Sequence, residues 1–311
     1  MKISISQSNI WNCLGDEFFF YQSIRECGFR YTDYNFFAQL SSDASRYLQP
    51  DWRRQAEDTR NRMEKIGVRT LIAHAPAGEP ADPKATENML RWTKRAIEVA
   101  SILGVENMAY HPGGGQIGMT HDKYMAFNID YVQQLIPTLE KCNVTLLLEN
   151  VGRWDQTWYC HDGDEMMEMI DAINHPLYQA CLDTGHLGLQ DGYQYETIKR
   201  LGTHLRGLHV QDNFGSLPVP ATNRMWRQDL HLPPLMGSID FDEVMIGLKE
   251  VGYTGLFNLE PESPRCGYLR SSDYCKEERL RTMTRDLAME YYTCVYDIAK
   301  HILTCYDAYE G

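Results

Sequence analysis

The chain has 311 residues, 43% of them hydrophobic and 23% charged, fractions that exclude disorder over most of its length. Its 30 basic and 43 acidic residues give a net charge of −13. A duplex-binding protein draws much of its affinity from a basic footprint, so this balance argues against a nucleic-acid partner and for a small-molecule substrate in the cytoplasm.

Short apolar runs alternate with amphipathic stretches from end to end. The first strand is read at Ile3–Ser6 and the second at Phe29–Asp33, followed by a helix over Asp51–Ile66. A third strand, Arg69–Ala73, precedes a helix over Pro83–Leu103. There Met89, Trp92, Ala96, Ile97, Ala100 and Leu103 recur near the 3.6 period, with Pro83 suiting the first turn and Gly104 the stop. The fourth strand, Asn107–Tyr110, leads through a glycine turn to a helix over Tyr124–Cys142, which Pro137 is expected to kink. Val144–Leu148 and a helix over Asp164–Ile173 come next, then Gln179–Leu182 and a helix over Tyr195–Leu201. The seventh strand, Leu205–Val210, is followed by the longest connection, Asn213–Leu235, and a helix over Asp240–Val251. The eighth strand is Gly255–Leu259. A Tyr-rich helix, Glu277–Leu303, dominates a closing region over 262–311.

Several of these strands are continuously apolar, as strands buried on both faces of a parallel sheet must be. Eight strand–helix repeats without a Pro/Gly/Ser linker predict one α/β domain over 1–311, a single (β/α)8 TIM barrel. A doubly wound sheet is the rival, but no G-x-G-x-x-G follows the first strand. No run approaches the roughly 18 apolar residues of a membrane span, and the N-terminus lacks the apolar core of a signal peptide. Nine scattered cysteines without a C-x-x-C read as free thiols in a reducing compartment.

The polar residues fall in a pattern. In such a barrel the active site lies at the C-terminal ends of the strands. Those ends carry His74, His111, Glu149, Asp183 with His186, His209 and Glu260, and the loop after the seventh strand adds Asp229 and His231. Five of the ten histidines and four carboxylates thus converge on one mouth. That many buried carboxylates repel one another and resist desolvation unless a cation joins them. Mixed nitrogen and oxygen donors suit zinc, manganese, iron or cobalt better than calcium.

At these residues the chain resembles the xylose-isomerase-like TIM-barrel superfamily, which contains sugar phosphate isomerases/epimerases and endonuclease IV. The carriers are Glu149-Asn150, Leu182-Asp183-Thr184-Gly185-His186, and His209 with Asp212-Asn213. They continue with His231-Leu232-Pro233, Gly237-Ser238-Ile239-Asp240-Phe241 and Leu259-Glu260-Pro261.

The resemblance implies that Glu149, Asp183, His209 and Glu260 hold one divalent metal, manganese first, with zinc, cobalt or magnesium as alternatives. It implies that Glu149 and Glu260 are the catalytic proton carriers beside a ketose carbonyl, and that His186 binds substrate oxygens. The endonuclease pattern implies a wider set, adding His74, His111, His186, Asp229 and His231, for three zinc ions and a phosphodiester. Elimination from an inosose and cleavage of an oxidised C-glycoside are further superfamily reactions. Trp11, Trp154 and Trp158 are candidates to stack on a sugar face, and Arg224 or Arg227 to meet an anionic group of the substrate. The expected partner is a small carbohydrate, with no membrane or nucleic acid, and apolar helix faces suit a homo-oligomer. A binding module with a decayed site would lack ligands, and none is missing.

Overall fold

The computed structural model describes residues 1–7, 17–37, 39–114, 118–152, 159–215, 229–261 and 284–311. Eight parallel strands close on themselves in sequence order, β1 pairing with both β2 and β8. They are β1 Lys2–Ser6, β2 Tyr31–Asn35, β3 Arg69–His74, β4 Asn107–Tyr110, β5 Thr145–Glu149, β6 Tyr178–Asp183, β7 Leu205–Val210 and β8 Leu256–Leu259. The intervening helices are α1 Glu17–Glu26, α2 Trp52–Ile66, α3 Thr86–Leu103, α4 His121–Cys142, α5 Gly163–Ile173, a short α6 Thr184–Gly188, α7 Gln194–Leu201 and α8 Phe241–Glu250. The last helix, α9 Arg285–Cys305, packs against β1 and α1. This is the (β/α)8 barrel that the alternation predicts.

Local chemistry sets the boundaries. Thr120, Asp162, Asp240 and Thr284 accept backbone N–H bonds at the starts of α4, α5, α8 and α9. Gly67 and Gly104 end α2 and α3 in the left-handed conformation. The α4 helix runs on through Pro137.

Three features depart from the expectation. The helix α1 is unannounced because its Phe18-Phe19-Phe20-Tyr21 run hides the helical period, and its inward face includes the polar Glu17 and Ser23. β2 starts two residues later than Phe29, which packs edge-on to Tyr296 of α9 with ring centroids 5.0 Å apart. Tyr31 thus starts β2 at the N-terminal end of the barrel, with the Lys2 and Arg69 cations over its ring. The short α6 follows β6 without a loop, because Asp183 is at once strand end and helix cap.

The main core lies between the outer wall of the barrel and the helices, with Met108, Leu146, Leu148, Ala180 and Leu182 facing outward. Inside the barrel, Ile72, Ala109, Leu147 and Cys181 form a separate apolar plug. Below the polar mouth the interior is therefore apolar on its β3–β6 side, while Asp33 of β2 and Asn258 of β8 are buried opposite. The six described cysteines are free, and among the described residues no helix is long and apolar enough to cross a membrane.

Gly28 is the tightest junction with the closing helix. Its φ is +109°, and a Cβ there would lie 2.8 Å from the Tyr296 ring. Gly28→Ala should destabilise the protein by about 1–3 kcal/mol, seen as a lower urea midpoint at unchanged slope. An unchanged midpoint would show that Tyr296 gives way freely.

Candidate metal centre at the strand ends

The structure brings all nine sequence-predicted ligand residues to one end of the barrel. Glu149 and Asp183 are the last residues of β5 and β6, His74 ends β3, and His209 is the penultimate residue of β7. Glu260 follows β8 directly, with its N–H bonded to the Val210 carbonyl at 3.0 Å. One ligand atom each from Glu149, Asp183, His209 and Glu260 lies within 4.8 Å of the others, and all four side chains are buried.

Around this quartet lie three further groups, His74–Glu149–His209, His111–Glu149–His186 and His186–Asp229–His231. Glu149 is the hub. Its Oε1 lies 3.0 Å from His209 Nδ1, and its Oε2 lies 3.2 Å from His74 Nε2 and 3.4 Å from His111 Nε2. His209 Nδ1 is also 3.5 Å from Glu260 Oε1. Asp229 Oδ2 sits between His231 Nε2 at 3.2 Å and His186 Nε2 at 3.4 Å.

The motifs that carry these residues have local explanations. Asp183 Oδ1 accepts the His186 N–H at 2.7 Å, so the Asp-Thr-Gly-His spacing is a helix cap that folds His186 back over the mouth. Gly185 makes room for Gln211, whose Cδ would lie 2.3 Å from any Cβ there. Asp212 and Leu232 exchange two backbone hydrogen bonds at 2.8 and 2.9 Å, and the Asp212 carboxylate accepts the N–H groups of Gly237 and Ile239. That tie holds His231 in a left-handed backbone, φ 46°, with its ring turned into the mouth.

The donor set fits a divalent cation. Glu149 Oε2, His111 Nε2 and His209 Nδ1 are buried within 3.0–3.5 Å of candidate ligands yet lie outside hydrogen-bond geometry. An ion would satisfy such atoms, and orphaned buried polar atoms are otherwise rare. Three histidines are also oriented as ligands. Nδ1–H donates to a backbone carbonyl in each: His74 to Ala75 at 3.1 Å, His186 to Asn150 at 2.9 Å and His231 to Glu260 at 2.9 Å. Each thereby presents Nε2 to a carboxylate, the outer anchoring that metal-bound histidines show.

Without a metal, protons take the cation's place. Burial pushes the Glu260 carboxyl up to about 7, with Glu149 adding to the rise against the opposing pull of His209. Burial also raises Glu149, but His209 and His111 outweigh it and hold that carboxylate well below its ordinary range. Burial disfavours the charged imidazoles, yet Asp183 and Asp229 lift His186 to about 10, and Asp229 lifts His231 well above its usual value. For His111, burial wins and the shift is downward.

Gln211 is a site residue that the sequence reading does not single out. Its Nε2 donates to Asp183 Oδ2 at 3.1 Å and Asp229 Oδ1 at 3.2 Å, joining the quartet to the outer group. The signal was the two-residue strand period, which puts Gln211 on the same face as His209. Trp11, Trp154, Trp158, Arg224 and Arg227 lie outside the described residues.

The model of the xylose isomerase-like TIM barrel family matches residues 21–279. The chain belongs to that family. It is 22% identical to a D-psicose 3-epimerase of Enterocloster bolteae over 58% of this chain and 56% of that protein. It is 27% identical to a probable endonuclease 4 of Mesomycoplasma hyopneumoniae over 50% of this chain and 58% of that one. Among solved structures, a D-psicose 3-epimerase from Clostridium cellulolyticum H10 superposes with a TM-score of 0.73 at 15% identity, covering 97% of this chain and 99% of the other. IOLI protein with a bound zinc atom gives 0.72 at 16% identity, covering 98% and 99%. These likenesses carry the family fold across the whole barrel.

Metal uptake should displace the protons held by His186, His209, His231 and Glu260. Titrating zinc or manganese into chelator-stripped protein should release protons, and affinity should rise with pH by about tenfold per unit for each proton displaced. Uptake without proton release would contradict this arrangement.

Proposed function

We propose that the chain is a divalent-metal-dependent sugar isomerase or epimerase that moves a proton at the carbon beside the carbonyl of a ketose or keto-sugar. The observation that carries the reading is the buried quartet of Glu149, Asp183, His209 and Glu260, with a glutamate on each side of His209 Nδ1 at 3.0 and 3.5 Å. A divalent cation held there would supply Lewis acidity, easing removal of a proton beside a carbonyl and stabilising the enediolate. Mixed nitrogen and oxygen donors suit manganese, cobalt or zinc.

The chain's own residues do the proton work. Glu149 and Glu260 come from well-separated strands of the barrel, so one carboxylate takes the proton from carbon and the other returns it from the far side. Delivery to the opposite face gives epimerisation, and delivery to the neighbouring carbon gives isomerisation. Asp183 stays fixed because its Oδ1 caps α6 and its N–H donates to Asn150 at 2.7 Å. His186, anchored on the Asn150 carbonyl, offers Nε2 to the sugar hydroxyls. The apolar plug keeps water from entering below. Trp11 and Arg224 complete the proposed sugar contacts.

A second reading, metal-assisted phosphodiester hydrolysis, is favoured by one observation. The ligand groups beyond the quartet are intact, and they share Glu149 and His186. The chain's net charge of −13 weighs against it.

Two measurements decide. Elemental analysis of protein purified without chelators should give about one ion per chain, whereas about three zinc ions would move phosphodiesters to the front. In deuterated water, a panel of ketoses should yield product labelled at the reacting carbon. Glu260→Gln should lower turnover by about 10²–10⁴-fold, and full turnover with full metal in that variant would end the proposal.

A further inference from the structure

The proton chemistry leaves the buried carboxylate of Asp33 without a task. Asp33 on β2 is fully buried inside the barrel, below the quartet. Its Oδ2 accepts Asn258 Nδ2–H at 3.1 Å and lies 3.5 Å from His209 Nε2, an approach outside hydrogen-bond geometry, while neither Asp33 Oδ1 nor His209 Nε2 has another hydrogen-bond partner among the described residues. Holding a carboxylate there is costly, so a compensating interaction is required.

The orientation of His209 supplies it. His74, His186 and His231 each anchor Nδ1–H on a backbone carbonyl and aim Nε2 at the mouth. His209 is reversed, with Nδ1 towards Glu149 and Glu260 and Nε2 towards the barrel interior. Inside a closed barrel the strand carbonyls lie along the wall and already accept ladder bonds, so the acceptor facing an inward-pointing imidazole is here a side chain. We propose that Asp33, held by Asn258, is the positioning residue for His209, accepting Nε2–H and so fixing Nδ1 as the unprotonated nitrogen aimed at the metal. The inference rests on the reading of the quartet as a metal site.

The test is affinity for the first equivalent of zinc, measured by competition with a chromophoric chelator. Asp33→Asn should weaken it by about 10–100-fold, because an amide can donate as well as accept and makes the wrong tautomer available. Stability of the ion-free variant does not discriminate, because Asn leaves a protonated His209 without its buried counter-charge. A merely structural role predicts unchanged affinity. Cys181 also interacts with the His209 ring and is the rival anchor, so Cys181→Ala should leave affinity unchanged, and a loss as large as that of Asp33→Asn would overturn the assignment. Ring-nitrogen NMR of the zinc-loaded parent protein checks the same point without a variant. A His209 Nε2–H with Nδ1 on zinc supports the assignment, and a His209 Nδ1–H overturns it. Tight zinc binding that Asp33→Asn leaves intact defeats this inference alone. A parent protein that binds no zinc defeats the metal reading with it.

Discussion

The structure turns on charge crowding at the mouth of a closed barrel. Glu149, Asp183, Asp229 and Glu260 are all buried there, with Asp33 beneath them. Carboxylates so placed repel one another and have lost their water, so the fold is tenable only if positive charge is shared among them. Protonated imidazoles provide it in the ion-free protein, and a divalent cation provides it more compactly. The same crowding makes the site selective, because the geometry that suits an ion is poorly satisfied by protons alone. Unmet hydrogen-bond geometry at Glu149 Oε2 and His209 Nδ1 is its local sign.

Barrel closure converts that constraint into precision. Each ligand hangs on a strand end whose height is fixed by ladders on both sides, as Asp183 opposite His209 in the β6–β7 register. Short backbone devices then place what the strands cannot reach. The Asp183 cap swings His186 inward, the Asp212–Leu232 bridge carries His231 and Asp229 over the mouth, and the Glu260 carbonyl holds the His231 ring. These are rigid supports, and they explain why the motifs contain residues, such as Asp212 and Gly185, that never face the ion.

Much of this was legible in the sequence because strand ends announce themselves. An apolar run followed at once by His, Glu or Asp marks both the element and the end at which the polar residue lies, and that pattern brought nine candidate ligands to one mouth, among which the family resemblance singled out Glu149, Asp183, His209 and Glu260. Where the run was ambiguous the reading slipped. Phe29 looks like a strand residue but packs on α9, and β2 begins two residues later. α1 was lost because consecutive aromatics erase a 3.6 period. The bridging by Gln211 and the pairing of Asp33 with His209 are contacts between strands far apart in sequence. No local pattern encodes them, and only the closed register does.

The number of ions then sets the sign of the charge at the mouth. With neutral imidazoles, the four carboxylates of the mouth and one divalent ion leave a net charge of −2. That balance favours a neutral ligand over a phosphate. With the four carboxylates of the wider ligand set and three divalent ions the balance becomes +2, which attracts a phosphodiester. The nine ligand residues include no lysine or arginine to change that arithmetic. A neutral ligand with a single ion, and a phosphodiester with three, would each be consistent with that arithmetic. Ligand identity alone allows both states, so ion occupancy, more than any one side chain, separates the two chemistries.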